Sequence, residues 1–196
     1  MAEPSITTTS LRGVLLVVPE PIPDERGFFV RTMAAGVLLA AGVDPCGFVQ
    51  ENQSRSKRST VRGLHGRSAL SEAKLVRCAR GEVFEVVVDL RPWSPTFGRW
   101  ESFLLDDTRH LQVYVPPGCV HGFQALSDEI DICYKHDDTY RPDLDIEVAW
   151  DDPELAIPWP LPDPVLSDRD SGAPMLAEVR PLLRSWYGSE PPPGRS

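Results

Sequence analysis

His65 stands in the stretch STVRGLHGR (59–67), with Arg62 three residues before it and Arg67 two after. An imidazole takes and returns protons near neutral pH. Neighbouring guanidiniums make paired, directional bonds to phosphate or carboxylate. Together they suit a base acting on an anionic substrate; a buried structural histidine and a metal ligand are the other readings of the same stretch. The chain has four histidines, His65, His110, His121 and His136. His121, in VPPGCVHGF (115–123), follows a turn much as His65 follows a glycine, so both are placed to face one interior. His110 and His136 read as satisfied core or surface residues.

A carboxylate beside a histidine fixes its tautomer and steadies the imidazolium. SDRD (167–170) supplies Asp168 and Asp170 in a polar segment that can fold over a barrel mouth. Tyr134 offers a phenol able to give a proton from another direction. A base and an acid on opposite faces of a carbon are the minimum needed to invert a stereocentre, each contributing about 10²–10⁴-fold. Lys74 is a candidate to hydrogen-bond an enolate oxygen, the interaction that usually dominates such chemistry. Arg26, Arg62 and Arg169 are candidate phosphate clamps, though singly they read as solvated arginines. A metal set of His65, His121 and Glu72 is disfavoured: Arg67 occupies the place where a second histidine would share the strand face, and its cation opposes a divalent ion. Neither a metal nor a cofactor is expected.

These residues lie on short segments. Twenty prolines and fourteen glycines interrupt the chain, which disfavours long helices. KLVRCARGEVFEVVVDLR (74–91) reads as two strands joined at Arg80-Gly81. In the second, Val83, Glu85 and Val87 share one face and Phe84, Val86 and Val88 the other. HLQVYVPPG (110–118) alternates until its prolines stop the ladder. EIDICYKH (129–136) sets Ile130, Ile132 and Tyr134 against Asp131, Cys133 and Lys135. RTMAAGVLLAAGV (31–43) is the main helical candidate and MLAEVRPLLRSWY (175–187) the second. Strands at this spacing point to an all-β sandwich or barrel. One domain over 1–187 is expected, followed by a disordered tail, GSEPPPGRS (188–196).

The 196 residues are 41% hydrophobic and 25% charged, the balance of a globular domain. A net charge of -9 argues against general nucleic-acid binding. No stretch approaches the ~18 apolar residues of a membrane span, and no export signal is visible. Cys46, Cys78, Cys119 and Cys133 form no CxxC pair, so they read as reduced thiols in a cytoplasmic protein.

DERGFF (24–29), FVQEN (48–52), RGLH (62–65), KLVRCARGEVFEVVVDLRPWSPTFGRW (74–100), VPPGCVHGF, CYK (133–135), WDDPELAIPWP (150–160) and LSDRD (166–170) occur in family order. Together they closely resemble the dTDP-4-dehydrorhamnose 3,5-epimerase family, from about Gly13 to Leu176. The resemblance implies a metal-free cupin or jelly-roll β-barrel with a few short helices, usually a homodimer that exchanges strands. It also implies epimerisation of a nucleotide-diphosphate sugar, a 4-keto-6-deoxyhexose whose ketone acidifies C3 and C5. On this pattern His65 is the base, Asp170 its support, Tyr134 the opposing proton donor and Lys74 the enolate's partner. Gln50, Glu51, Asn52, Arg62 and His121 fall at substrate-binding positions, together with Arg26, Arg31, Asp145 and Arg169.

Departures from the family pattern bear on the substrate. Arg31 stands where the family commonly has a glutamate suited to accept from the thymine N–H; arginine only donates. Ile22 stands where an aromatic often packs on the base, and Gly66-Arg67 where an aromatic and a glutamine follow the histidine. Asp145 and Arg169 replace a glutamate and a lysine, keeping charge. The leading reading is therefore a 3,5-epimerase of dTDP-4-dehydro-6-deoxy-D-glucose. The alternatives are a C3- or C5-mono-epimerase, an epimerase of a GDP- or CDP-linked hexose or heptose, and a non-catalytic sugar-nucleotide-binding cupin.

Overall fold

A computed structural model describes residues 3–191. Its first strands are β1 (Ser5–Thr8), β2 (Leu15–Val18), β3 (Ile22–Asp24) and β4 (Gly27–Phe29). The central ones are β5 (Gln50–Lys57), β6 (Val61–Arg67), β7 (Lys74–Arg80), β8 (Glu82–Asp89) and β9 (Trp100–Asp106). Then come β10 (Gln112–Val115), β11 (Cys119–Ala125), β12 (Glu129–His136) and β13 (Asp145–Glu147). The helices are α1 (Ala35–Ala40), α2 (Asp168–Ser171) and α3 (Leu176–Tyr187).

A six-stranded sheet runs β1-β2-β10-β7-β12-β5 and faces a five-stranded sheet, β13-β6-β11-β8-β9; β3 and β4 form a separate hairpin. The fold is all-β, as expected, and of jelly-roll type. The barrel expectation needs one correction: each sheet ends on unpaired edge strands, so the two face each other without closing. The chain also divides at Gly81 as its turn signal predicts, yet β7 joins one sheet and β8 the other.

Period-2 alternation decides what fills each layer. Val83 and Val87 of β8 enter the core between the sheets with Val76, Val113, Ile130 and Ile132. The opposite face of β8 sends Phe84, Val86 and Val88 to an outer layer closed by α3. The helix presents Leu176, Val179, Leu183 and Tyr187 to that layer, a spacing of three to four that keeps them on one face. Burying each is worth about 1.5–3 kcal/mol. The backbone amide of Leu176 donates to Asp152 (2.7 Å), and Gly188, at φ 81°, ends the helix.

The helix expected over 31–43 shrinks to Ala35–Ala40. It has no capping side chain, carries Gly36 inside it, and lies after Thr32, whose carbonyl is taken by the Gln112 amide. The second candidate, 175–187, is realised almost in full. All four cysteines are free thiols, Cys46 exposed and the others buried. No helix among the described residues is long and apolar enough to cross a membrane. The tail expected at 188–196 falls mainly at 192–196, outside the described residues.

Candidate active site

Two facing walls carry the candidate residues. On the five-stranded sheet, β6 pairs with β11 so that His65 lies opposite His121, and with β13 so that Glu147 lies opposite His65. On the six-stranded sheet, Lys74 pairs with His136, Tyr134 with Asn52, and His136 with Gln50. Beside His65 the strands come unusually close. A Cβ on Gly63 would lie 2.5 Å from Gly122 Cα, and one on Gly122 would lie 2.6 Å from the Arg62 carbonyl. Only glycine at both places permits the approach. Gly66 is equally confined, since a Cβ there would meet Val120 Cγ1 at 2.7 Å; an aromatic at this position has no room.

His65 Nε2 lies 2.6 Å from Asp170 Oδ1. Ser167 Oγ donates to the other carboxylate oxygen at 2.7 Å, and the Gly63 amide donates to Oδ1 at 3.2 Å. The short helix α2 aims Asp170 inward, with Ser167 as its N-cap. Burial pushes the Asp170 carboxyl up, but the His65 bond, the Ser167 bond, the imidazole charge and the Gly63 amide hold it at about 2. A carboxylate only accepts, so Nε2 bears the hydrogen and Nδ1 the lone pair of a base.

A second carboxyl–imidazole pair sits alongside. Glu85 Oε1 is 2.6 Å from His121 Nδ1, and the Glu85 side chain is fully buried with Oε2 lacking any partner. The distance is that of an ion pair. Burial, however, pushes the carboxyl well above its usual range. Burial also pushes His121 well below its own, helped by the charges of Lys74, His65 and His136. Both shifts favour the uncharged pair, in which Glu85 donates to Nδ1 and His121 keeps an N–H at Nε2.

Several further candidates gather here. Lys74 Nζ lies 3.2 Å from Glu72 Oε2, and Tyr134 packs against the inter-sheet core with its ring edge-on to His136. Gln50 donates to Asn52 Oδ1 (3.2 Å), whose amide nitrogen reaches His136 Nε2 (3.2 Å). Arg169 pairs with Glu147 and with Asp145 (3.3 Å), and Asp145 also lies 3.5 Å from Arg67. Arg62 is exposed and donates to Ser56 Oγ at 3.0 Å. Among the described residues no group of three or more His, Cys, Asp and Glu is set to hold a metal ion.

Three candidates are not brought to this site within the chain. Arg26 extends from the β3–β4 hairpin into solvent and pairs with Asp24 (2.6 Å). Arg31 pairs with Glu3 near β1. Glu51 follows Gln50 on β5, so alternation turns it to the opposite face, where Lys135 meets it at 2.5 Å. Conversely, three residues not among the sequence candidates belong to the cluster: Glu85, His136 and, as an ion-pair partner rather than a metal ligand, Glu72. Glu85 had a visible signal, an acid between Val83 and Val87 on a core face.

The sequence pattern of the dTDP-4-dehydrorhamnose 3,5-epimerases matches residues 8–178. The chain is 41% identical to the dTDP-4-dehydrorhamnose 3,5-epimerase of Methanothermobacter thermautotrophicus, covering 91% of this chain and 97% of that protein. It is 44% identical to the dTDP-4-dehydrorhamnose 3-epimerase of Streptomyces niveus, covering 87% and 83%. It superposes with a TM-score of 0.86 on the dTDP-6-deoxy-D-glucose-3,5-epimerase of Legionella pneumophila Philadelphia 1 in complex with dTDP-4-keto-L-rhamnose. That match is 38% identical and covers 92% of this chain and 97% of the other. Likeness of this extent in sequence and in fold makes the chain a member of the dTDP-4-dehydrorhamnose 3,5-epimerase family, an isomerase acting on nucleotide sugars.

Proposed function

We propose that the protein inverts C3 and C5 of dTDP-4-dehydro-6-deoxy-D-glucose, giving dTDP-4-dehydro-L-rhamnose through an enolate. The observation that carries this reading is the His65–Asp170 pair on one wall with Tyr134 on the facing one. His65 Nδ1 removes the proton next to the 4-ketone. Negative charge moves to the ketone oxygen, where Lys74 and the Nε2–H of His121 are the available donors. Tyr134 then protonates the carbon from the opposite face, and the centre is inverted. Arg62, Arg169, Gln50 and Asn52 are the residues within this chain left to grip the sugar and diphosphate. The ligand in the Legionella structure supports the substrate class.

A C3-only reaction is the second reading, favoured by the 44% identity to the Streptomyces niveus 3-epimerase. Incubation with dTDP-4-dehydro-6-deoxy-D-glucose in D₂O, followed by proton NMR, separates the two. Deuterium is expected at both C3 and C5. Uptake at C3 alone establishes the mono-epimerase. No uptake from this sugar, with uptake from a GDP- or CDP-linked one, moves the substrate to another base.

The reading includes one domain over 1–187, cytoplasmic action and a homodimer. The dimer is supported by an apolar surface that a lone chain leaves in water: Ile22, Phe28, Phe29, Met33, Leu39 and Val49 are all exposed. They cluster in one sequence segment, on the β3–β4 hairpin and around α1. Sedimentation equilibrium is expected to return twice the 21.8 kDa chain mass; a single-chain mass at micromolar concentration refutes it.

A further inference from the structure

Glu72 lies in the connection from β6 to β7, and its side chain is 3% exposed. Three donors converge on its two oxygens. Arg67 Nη2 and His136 Nδ1 reach Oε1 at 3.0 and 2.9 Å, and Lys74 Nζ reaches Oε2 at 3.2 Å. Burial pushes this carboxyl up, but the His136 bond and the charges of Lys74 and Arg67 help to hold it at about 2. It is therefore an ionised group that only accepts.

That fixes the direction of a chain of hydrogen bonds. His136 Nδ1 must donate to Glu72. On the far side of the ring, Nε2 meets Asn52 Nδ2, which only donates, so Nε2 accepts. Asn52 Oδ1 in turn accepts from Gln50. Both ends of the imidazole demand the same Nδ1–H tautomer, and the run Gln50 to Asn52 to His136 to Glu72 has one polarity. The same carboxylate tethers the ammonium of Lys74.

We propose that Glu72 is a positioning residue for the reaction, holding Lys74 in place and setting the donor direction of the pocket wall through His136 and Asn52 to Gln50. The role of Lys74 at the enolate oxygen rests on the epimerase reading; the direction of the hydrogen-bond run does not. Glutamine at position 72 cannot reproduce the arrangement. Its single oxygen satisfies at most two of the three donors, so one of Arg67, His136 and Lys74 always faces an N–H.

Two measurements decide the matter. The first is the nitrogen-15 NMR spectrum of the histidine rings in the intact protein, with the His136 signals assigned by their loss in His136→Gln. Protonated Nδ1 and bare Nε2 are expected for His136, and an Nε2–H form overturns the proposal. The second is steady-state kinetics of Glu72→Gln and of the double variant Arg67→Gln/Glu72→Gln. In the single variant Arg67 stays buried without its nearest carboxylate, so the melting temperature falls as well. In the double variant the melting temperature recovers while kcat stays about 10- to 100-fold down, with a smaller change in KM. Recovery of kcat together with stability makes Glu72 merely structural and ends the proposal. Should the wild type not turn over the sugar at all, the epimerase reading fails, and the tautomer measurement still judges Glu72.

Discussion

Replacing His65 with alanine stops deuterium uptake at C3 and C5 and lowers turnover on the order of 10³- to 10⁴-fold. The expectation follows from the ring's two bonds. Nε2 is committed to Asp170 at 2.6 Å, which leaves Nδ1 as the nitrogen with a lone pair. Neither of the other histidines in the cluster is placed to replace it. His121 has its Nδ1 taken by Glu85 and presents an N–H, and His136 is held between Glu72 and Asn52. The substitution leaves the fold standing, because the His65 side chain is 31% exposed and contributes little to either core. Residual exchange within tenfold of wild type would move the base to another residue.

The same variant has a signature in stability. The Asp170 carboxyl is held at about 2 in the fold, below its ordinary 3.8. A depressed carboxyl adds stability that is present above the unfolded value and lost as pH falls from about 3.8 through about 2. Removing His65 deletes the first of the interactions opposing burial and leaves Ser167 and Gly63. The folded value rises toward 3.8, so in His65→Ala the loss still begins near the unfolded value but is smaller and is complete at higher pH. Circular dichroism during acid titration of the two proteins reads this directly.

How much of this could be read from the chain depends on the distance over which each feature is decided. Alternation on β8 and β12 is local, so the two faces of each strand, Tyr134 included, follow from residue order alone. Glu51 came from the family pattern, and alternation sets it apart: between Gln50 and Asn52 on a strand, it points to the other face. The separation of β7 from β8 is not local. Both read as strands about a glycine turn, and only the packing of two sheets decides that they part there. The His65–Asp170 contact spans 105 residues, beyond any spacing argument; the family pattern is what joined them. Glu72 and His136 were legible only as a carboxylate and a histidine. Their function as a wall comes from Lys74, Asn52 and Arg67 arriving from three other strands.

Tyr134→Phe separates proton removal from inversion. The phenylalanine keeps the ring against the inter-sheet core and edge-on to His136, so folding and binding are retained, but the facing wall loses the phenol that delivers the proton to carbon. His65 still generates the enolate. Its imidazolium exchanges with D₂O and can return a deuteron only to the face from which the proton left. The variant is therefore expected to incorporate deuterium into the substrate at C3 while epimerised product falls by about 10²- to 10³-fold. Proton NMR distinguishes the two events in one sample, since loss of the C3 signal in unchanged sugar is exchange and new sugar signals are inversion. Equal loss of both would mean that Tyr134 acts before the enolate forms, and inversion at the wild-type rate would place the second proton donor elsewhere, with the ammonium of Lys74, on the same wall as Tyr134, the next candidate.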